Sequence, residues 1–449
     1  MTGGSPARPD PLPAAGPADF GSFIRERHRV AGTVVQPRMG FSDPKTMRAG
    51  LVATEAAAVA TAGTITVDSY TRVGDLRAVA EALAAGRDLN GYPLAHHDAA
   101  TTRRVLAGVQ SDSFAVQVRH GSAAPRSILA ALLAAGLNAT EGGPVSYCLP
   151  YGRTPLVESV HNWAASCRLL ARSGATGARP HLETFGGCML GQLCPPSLLV
   201  AISVLEALFF RQHGLDSISV SYAQQPNPEQ NREALAALRR LCGRFLPDID
   251  WHVVLYTYMG VYPTTAHGAY RLLGQAAELA AATGTERLIV KTVAESSRIP
   301  TIDENVAALK YAAEVTGRWA AEQPDKIESN DTQDARPLEQ RDTQVYLEAL
   351  RLIEAVRDLS DDLGRALIRA FQFGYLDVPY CLHPDNPGRS RSYLDDSGRI
   401  RWADLGSLPL GGIVETSAAT ALGSAELLAA LSYVRRAYDQ DASTDPASS

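Results

Sequence analysis

The chain has 449 residues, of which 45% are hydrophobic and 20% charged, with a formal net charge of -6 at neutral pH. These proportions are ordinary for a soluble globular protein, and no stretch approaches the roughly 18 uncharged apolar residues of a membrane span. The acidic balance, without a long basic run, argues against nucleic acid as a partner. Any site for an anion must therefore be built locally.

The two ends of the chain lack the pattern of a folded segment. The first residues are rich in Pro, Gly and Ala without the apolar core of a secretory signal, so we place a disordered leader at residues 1–25. A disordered tail is predicted at residues 441–449. The six cysteines form no C-x-x-C pair, which argues against a zinc ribbon or a disulfide scaffold. We therefore expect a cytoplasmic protein without a metal site of its own.

Short β-branched runs alternate with long segments rich in Ala and Leu, which is the pattern of βα units with parallel strands. The predicted strands are GTVVQPRM, GTITVDSYTR, SFAVQVRHG, GPVSYCLPYG, RPHLETFGG, DSISVSYA, DWHVVLYTYM and ERLIVKT. The predicted helices include PRSILAALLAAG, SLLVAISVLEALFFRQHG, NREALAALRRLCGRFL and GAYRLLGQAAELAAATG. Eight strands followed by helices predict a TIM (β/α)8 barrel. A doubly wound sheet is the alternative, but its usual Gly-rich fingerprint is missing.

The character of the chain changes after the last predicted strand. We place the TIM-barrel domain at residues 26–325 and a C-terminal extension that flanks the barrel at residues 326–440. A polar linker, PDKIESNDTQDARPLEQRD, leads to a helical stretch, TQVYLEALRLIEAVRDLSDDLGRALIRAFQFG. The following segment, DVPYCLHPDNPGRSRSYLDDSGRIRWADLG, is punctuated by Pro and Gly and predicts a β-hairpin.

Polar side chains collect where the predicted strands end, which is where a TIM barrel carries its catalytic groups. Arg38 ends the first strand, Arg72 the second, and Arg119 with His120 the third. Three arginines at one mouth predict an anion with more than one carboxylate or phosphate, because planar guanidinium groups suit such ligands. The alternative is that Arg38 and Arg72 form surface ion pairs and only Arg119 points inward.

Five further residues near strand ends carry usable chemistry. Glu141, before the predicted fourth strand, suits a base for a substrate ammonium or a counterion of an arginine. Tyr147 in that strand, like the Tyr151 four residues on, suits hydrogen bonding to a bound acid or aromatic packing. Lys291 ends the eighth strand, where it could form a Schiff base or donate to a ribose or phosphate. Glu295, one turn on, would keep Lys291 charged, which disfavours the Schiff base.

A series of short motifs makes the chain recognisable. QPRMG, TVDSYTR, LNGYP, VRHG, EGGPVSYCLPY, MGVYP and IVKTVAESSRIPT follow one another in this order. In order and spacing they resemble the large epsilon subunit of glutamate mutase, also called methylaspartate mutase, over about residues 30 to 410. The resemblance implies a TIM-barrel subunit of an adenosylcobalamin-dependent isomerase. Its reaction would interconvert L-glutamate and (2S,3S)-3-methylaspartate by radical fragmentation and recombination.

The same resemblance implies roles for individual residues. The substrate carboxylates would be bound by Arg38, Arg72 and Arg119 and the substrate ammonium by Glu141, with Glu141 and Arg119 as the catalytic residues. The substrate pocket would be completed by Tyr147, Tyr151 and His120. The cobalamin and adenosyl side would be lined by Gly40, Asn90, Pro150, Tyr262, Lys291, Glu295 and Ile299.

The cobalt-ligating motif of the family, Asp-x-His-x-x-Gly, is absent from the chain. The closest string is Asp250-Trp251-His252, which is followed by Leu255 in place of Gly and lies in a predicted strand. The resemblance therefore implies a separate small cobalamin-binding subunit, and a homodimer of this chain within a heterotetramer. Two alternatives stay open: a TIM-barrel lyase or aldolase that uses Lys291, and a non-catalytic relative that acts as a binding subunit.

Overall fold

A computed structural model describes residues 19–150, 152–174, 177–186, 193–322, 337–416 and 423–440. The strands of its main sheet are β1 Val34–Pro37, β2 Gly63–Thr66, β3 Val116–Arg119, β4 Ala139–Gly142, β5 His181–Thr184, β6 Ser217–Ala223, β7 Asp250–Tyr256 and β8 Arg287–Val290. All are parallel, in the order β1-β8-β7-β6-β5-β4-β3-β2. A bridge between Val35 and Thr61 joins the two outermost strands. The predicted TIM (β/α)8 barrel is confirmed.

Helices cover the outside of this barrel. They are α1 Phe20–Ala31, α2 Pro44–Glu55, α3 Ser69–Val73, α4 Leu76–Ala84, α5 Ala99–Leu106, α6 Arg126–Ala134, α7 Leu156–Ser173, α8 Pro196–Gln212, α9 Pro228–Phe245, α10 Ala266–Ala282 and α11 Ile302–Glu322. An aspartate side chain caps the N-terminus of each helix from α1 to α5 by accepting a backbone N–H. None of the helices in the described ranges is long and apolar enough to cross a membrane.

The C-terminal part adds further elements to the barrel. Its helices are α12 Gln344–Arg357, α13 Leu363–Phe373, α14 Ser424–Leu431 and α15 Tyr433–Gln440, and its strands are β9 Arg391–Leu394 and β10 Ile400–Asp404. The predicted β-hairpin is confirmed, since β9 and β10 pair antiparallel. The polar linker between residues 323 and 336 and the tail at 441–449 lie outside the described residues.

Helix α8 shows how the added helices affect the barrel. Its residues from Pro196 to Phe210 are all buried, because strands β5 and β6 lie on one side and helices α12 and α13 on the other. A helix covered on both sides is expected to be apolar all round. Glu206 is the one charged residue in this buried stretch.

Three sequence predictions are wrong in their bounds. The second strand ends at Thr66, and Arg72 lies in helix α3 instead of at the end of a strand, because Asp68 caps that helix. The fourth strand is β4, and the predicted GPVSYCLPYG forms turns at residues 144–150, because Pro144 has no N–H for a strand ladder. Glu141 therefore lies within the strand. Helix α1 begins at Phe20, inside the leader predicted at 1–25, and buries Phe20 against the ring of His181 at 5.2 Å. The remaining domain bounds stay predictions.

Candidate functional site

The interior of the barrel holds charged and polar side chains where a TIM barrel usually packs branched apolar ones. Arg287, at the start of β8, is fully buried. Its Nη1 donates to Gln36 at 2.5 Å and to Gln117 at 2.9 Å, and its Nη2 donates to Ser219 at 2.9 Å. Nη2 also forms an ion pair with Glu183 of β5. This network forms a polar, hydrogen-bonded base beneath the carboxyl ends of the strands.

Arg119 and Glu141 form a buried ion pair above this base. Arg119 ends β3 and Glu141 lies in β4; Nη2 and Oε2 are 2.8 Å apart, and each side chain is 3% exposed. Glu183 Oε1 lies 3.8 Å from Nη1 of Arg119. The Tyr256 hydroxyl contacts the carboxylates of both Glu141 and Glu183, and lies 2.8 Å from Oε2 of Glu141. The Tyr147 hydroxyl donates to Oε1 of Glu141. Ion pairs therefore link four charged residues from four strands, in the order Glu141, Arg119, Glu183 and Arg287.

The two carboxyl groups differ in their affinity for a proton. Burial raises the pKa of Glu141, and the nearby Glu183 adds to the rise against the lowering effect of Arg119. Burial also raises the pKa of Glu183, but Arg287 and Arg119 outweigh burial and hold that pKa below its usual value. Glu141 is therefore the carboxyl group of the pair that more readily takes a proton.

Beside this ion pair, two hydrogen-bond donors lack an acceptor. Burial, aided by the charge of Arg119, lowers the pKa of His120 to about 3, so the ring is neutral. Its Nδ1 accepts from the Ser122 N–H at 3.0 Å, which places the proton on Nε2. Within the described ranges, neither Nε2 of His120 nor Nη1 of Arg119 has a hydrogen-bond partner. An unpaired buried donor costs about 1–3 kcal/mol, and a bound ligand would explain both.

Aromatic rings surround these donors. The His120 ring stacks on Trp163 with centroids 5.8 Å apart, and Tyr147 meets His120 edge-on at 5.2 Å. The guanidinium carbon of Arg119 lies 5.7 Å from the ring centroid of Phe185. These contacts fix the orientation of the donors and shield them from solvent.

A second cluster lies where β1 and β8 end. Oε1 of Glu295 accepts from Arg38 Nη1 at 2.5 Å and from Lys291 Nζ at 3.2 Å. Nζ of Lys291 is also 4.9 Å from the ring centroid of Tyr262, whose buried hydroxyl has no partner in the described part of the chain. Burial raises the pKa of Glu295, but Arg38 and Lys291 outweigh it and keep that pKa below its usual value.

The other predicted site residues are less closely gathered. Arg72 is half-buried in the last turn of α3. Asn90 is exposed, and its Oδ1 accepts the Ser69 N–H at 2.9 Å. Ile299 is 47% exposed. Tyr151 lies outside the described residues.

Gly40 and Pro150 occupy positions set by the backbone. A Cβ on Gly40 would lie 2.3 Å from the carbonyl oxygen of Thr66, so only glycine fits against the end of β2. Pro150 ends the turn after β4 and lines a cavity of about 510 Å³ together with Met259 and residues of the extension.

The sequence analysis missed three residues of the site. Glu183 lies in register with Glu141 on the neighbouring strand. A glutamate within a predicted barrel strand is itself a signal that could have indicated Glu183 as a site residue. Tyr256 is the last residue of β7, so the rule that active groups lie at strand ends could have indicated it. Arg287 begins its strand instead of ending it, so no positional rule indicates it.

His252 is fully buried within β7, with its ring stacked on His181 at 5.2 Å. This confirms that the closest string to a cobalt-ligating motif lies in a buried strand. Within the residues that the structure describes, no group of His, Cys, Asp or Glu side chains could hold a metal ion.

Comparison with known proteins gives a consistent result. The family model for the methylaspartate mutase E chain matches residues 14–425. The glutamate mutase epsilon subunit of Halobacterium salinarum is 32% identical over 77% of this chain and 71% of its own. That of Desulfitobacterium hafniense is 30% identical, over 77% and 71% respectively. Among solved structures, a spore coat polysaccharide biosynthesis protein of Bacillus subtilis matches over 71% of this chain and 77% of its own, with 12% identity. Its TM-score of 0.38 is too low to support an argument.

Proposed function

Because the chain belongs to the methylaspartate mutase E chain family, we propose that it is the catalytic subunit of a coenzyme B12-dependent carbon-skeleton mutase. The proposed reaction interconverts L-glutamate and (2S,3S)-3-methylaspartate. The observation that carries the proposal beyond the family is the buried Arg119–Glu141 pair, with its two unpartnered donors, at the carboxyl ends of the strands.

An amino dicarboxylate suits this pair. A substrate carboxylate could accept from Nη1 of Arg119 and Nε2 of His120, which have no other acceptor in the described ranges. The substrate ammonium could then donate to Glu141. This first carboxylate and the ammonium bring one negative and one positive charge to the Arg119–Glu141 pair, which holds one of each, so they bury no uncompensated charge.

The second carboxylate needs a further cation. Arg38 and Arg72 follow the neighbouring strands β1 and β2, and both are half-buried. Arg38 already donates to Glu295, so it would bind the substrate while keeping its contact with the second cluster. Planar guanidinium groups hold carboxylates in a fixed orientation, which retains the fragments of a rearranging substrate.

The second cluster fits the ribose of an adenosyl group. A ribose offers hydroxyl groups that donate to a carboxylate and accept from an ammonium, and Glu295 and Lys291 supply one of each at 3.2 Å. The unpartnered Tyr262 hydroxyl adds a further polar group. Bound adenosylcobalamin would supply the radical chemistry that a carbon-skeleton rearrangement needs. The chain itself holds and orients the ligands and excludes water from the closed barrel.

The cobalt ligand would come from another protein. His252 is buried in a strand and is shielded from solvent by the barrel, so it cannot reach a corrin ring outside it. We therefore include in the proposal a separate small cobalamin-binding subunit, joined to two copies of this chain in a heterotetramer.

The test is to mix the purified chain with a small cobalamin-binding subunit from the same genome, adenosylcobalamin and L-glutamate, and to follow 3-methylaspartate by mass spectrometry. Product should require all three additions. L-norvaline, which lacks the distal carboxylate, should not react, because it offers no second carboxylate for the additional arginines to hold. A complex that binds cobalamin yet forms no product from L-glutamate would contradict the proposal.

A further inference from the structure

Glu206 is a buried carboxylate that none of the roles above uses. It lies in α8, is fully buried, and accepts hydrogen bonds from N–H and O–H groups alone. Its Oε1 accepts from the backbone N–H of Val145 and of Ser146, each at 2.9 Å, and its Oε2 accepts from the Ser146 hydroxyl at 2.8 Å. The backbone N–H of Phe185 is a further donor.

These donors belong to two segments that follow the neighbouring strands β4 and β5. Val145 and Ser146 lie in the turn after β4, whereas Phe185 directly follows β5. The turn comes so close to α8 that a Cβ on Gly143 would lie 2.1 Å from Oε1 of Glu206. One carboxylate therefore ties the turn after β4 to helix α8 and to the end of β5.

Both segments continue into the candidate site. Tyr147 follows Ser146 directly, and its hydroxyl donates to Oε1 of Glu141. The rings of Tyr147 and Phe185 meet at 4.8 Å, with an interplanar angle of 62°. A shift of the turn would therefore move the Tyr147 hydroxyl away from Glu141.

We propose that Glu206 is a positioning residue that fixes the turn after β4 and thereby holds the Tyr147 hydroxyl on Glu141. Its effect on turnover rests on the proposed function of the chain. Its effect on the turn does not, because every contact involved lies within the chain. The two effects can therefore be measured separately.

The chemistry of the contacts selects the variants. Burial raises the pKa of Glu206 to about 7, and a protonated carboxyl still offers one oxygen to the Val145 and Ser146 N–H groups. Glu206→Gln offers the same oxygen and can donate to the Ser146 hydroxyl. Glu206→Leu fills a similar volume but removes every acceptor, which leaves both N–H groups of the turn, those of Val145 and Ser146, without this acceptor.

The matched control is Ser203→Ala. Ser203 lies in the same helix and is also fully buried, but it hydrogen-bonds to Thr184 and to the Ser221 N–H, both of which belong to strands. This change removes buried hydrogen bonds from α8 without touching the turn.

The experiment measures hydrogen exchange of the Val145 and Ser146 amides and kcat in the complex with the small subunit and adenosylcobalamin. Glu206→Leu should speed exchange at both amides by about 10-fold or more and lower kcat by about 10-fold or more. Glu206→Gln should stay within about 3-fold of the wild type in both, since its oxygen still accepts. Ser203→Ala should leave exchange in the turn unchanged. If Glu206→Leu does not fold, Ser146→Ala removes one contact and should give the same changes at a smaller size.

Two results would overturn the proposal: unchanged exchange in Glu206→Leu, or faster exchange with unchanged kcat. A wild-type complex without mutase activity would defeat the proposed function but leave the positioning role open to test. In that case near-ultraviolet circular dichroism decides. The spectrum of Glu206→Leu is compared with that of the double variant Glu206→Leu/Tyr147→Phe. If Glu206→Leu has already displaced Tyr147, the two spectra should differ little. A large difference would show that Tyr147 still holds its place and would contradict the role.

Discussion

The Arg119 guanidinium and the Glu141 carboxylate lie 2.8 Å apart in a site where each side chain is only 3% exposed. Each group is thus the partner of the other before any ligand arrives. A ligand that carries both a carboxylate and an ammonium can take over both contacts, which a ligand of one charge cannot do. Under the proposed function, this relationship favours an amino acid as the substrate, which would bind to both residues.

Glu141→Gln should lower kcat by about 100-fold or more, because a neutral amide cannot pair with the substrate ammonium. The fold should persist, since the amide oxygen still accepts from one of the two tyrosine hydroxyls and the amide NH2 can donate to the other. We expect the free energy of unfolding to fall by no more than about 3 kcal/mol. Turnover of L-glutamate and urea denaturation measure the two effects.

Glu348→Gln is the matched control for this change. Glu348 is also buried and accepts from Ser197 and Trp402, but it lies in α12 of the extension. Its replacement should affect stability and leave kcat within about 3-fold of the wild type. If Glu141→Gln merely unfolds the chain, or behaves like this control, Glu141 is a structural ion-pair partner.

His120 predicts a dependence of stability on pH. Its pKa is about 3 in the folded chain and about 6.5 when unfolded, so the unfolded chain takes up a proton that the folded chain refuses. Stability from this residue is therefore present above pH 6.5 and is lost as the pH falls towards 3. Between pH 6.5 and 5 the wild type should lose up to about 2 kcal/mol more than His120→Asn, measured by urea denaturation. An equal loss of stability in both proteins would show that His120 is protonated in the folded chain. His96→Asn, at an exposed position, is the control and should lose as much stability as the wild type.

Lys291→Met should weaken the binding of adenosylcobalamin to the complex by about 10-fold, because it removes the buried ammonium beside Glu295. The visible spectrum of bound cobalamin measures this affinity. Lys310→Met, at an exposed position in α11, should leave this affinity unchanged.

Borohydride with a carbonyl substrate should trap no adduct on Lys291, since an ion-paired ammonium is not the free amine that a Schiff base requires. A trapped adduct would favour the lyase or aldolase alternative.

The barrel could be predicted from the sequence because most strands are apolar and most spacers are amphipathic helices. The fourth strand was misplaced for a physical reason. Thr140 and Glu141 are polar, and Glu141 belongs to the polar barrel interior, so hydrophobicity does not mark β4. The following Val-Ser-Tyr-Cys-Leu has the alternation of a strand but forms turns. The rule that active groups follow strands still identified Arg119 and His120.

Pairings across the barrel could not be predicted. Arg287 and Glu183 are 104 residues apart, and only the closed sheet brings them together. The partner of Glu206 is a turn that the sequence indicated as a strand. Positions at strand ends can be inferred from one chain, but contacts between distant strands require the structure.

The most direct test of the central claim compares wild type with Arg119→Lys in the complete complex, as 3-methylaspartate formed per bound cobalamin. Lysine keeps a positive charge beside Glu141, so folding and cobalamin content should match the wild type. It cannot reproduce the planar pair of donors, so product formation from L-glutamate should fall by about 100-fold or more. Equal product formation by the two proteins would remove Arg119 from the substrate site and contradict the account.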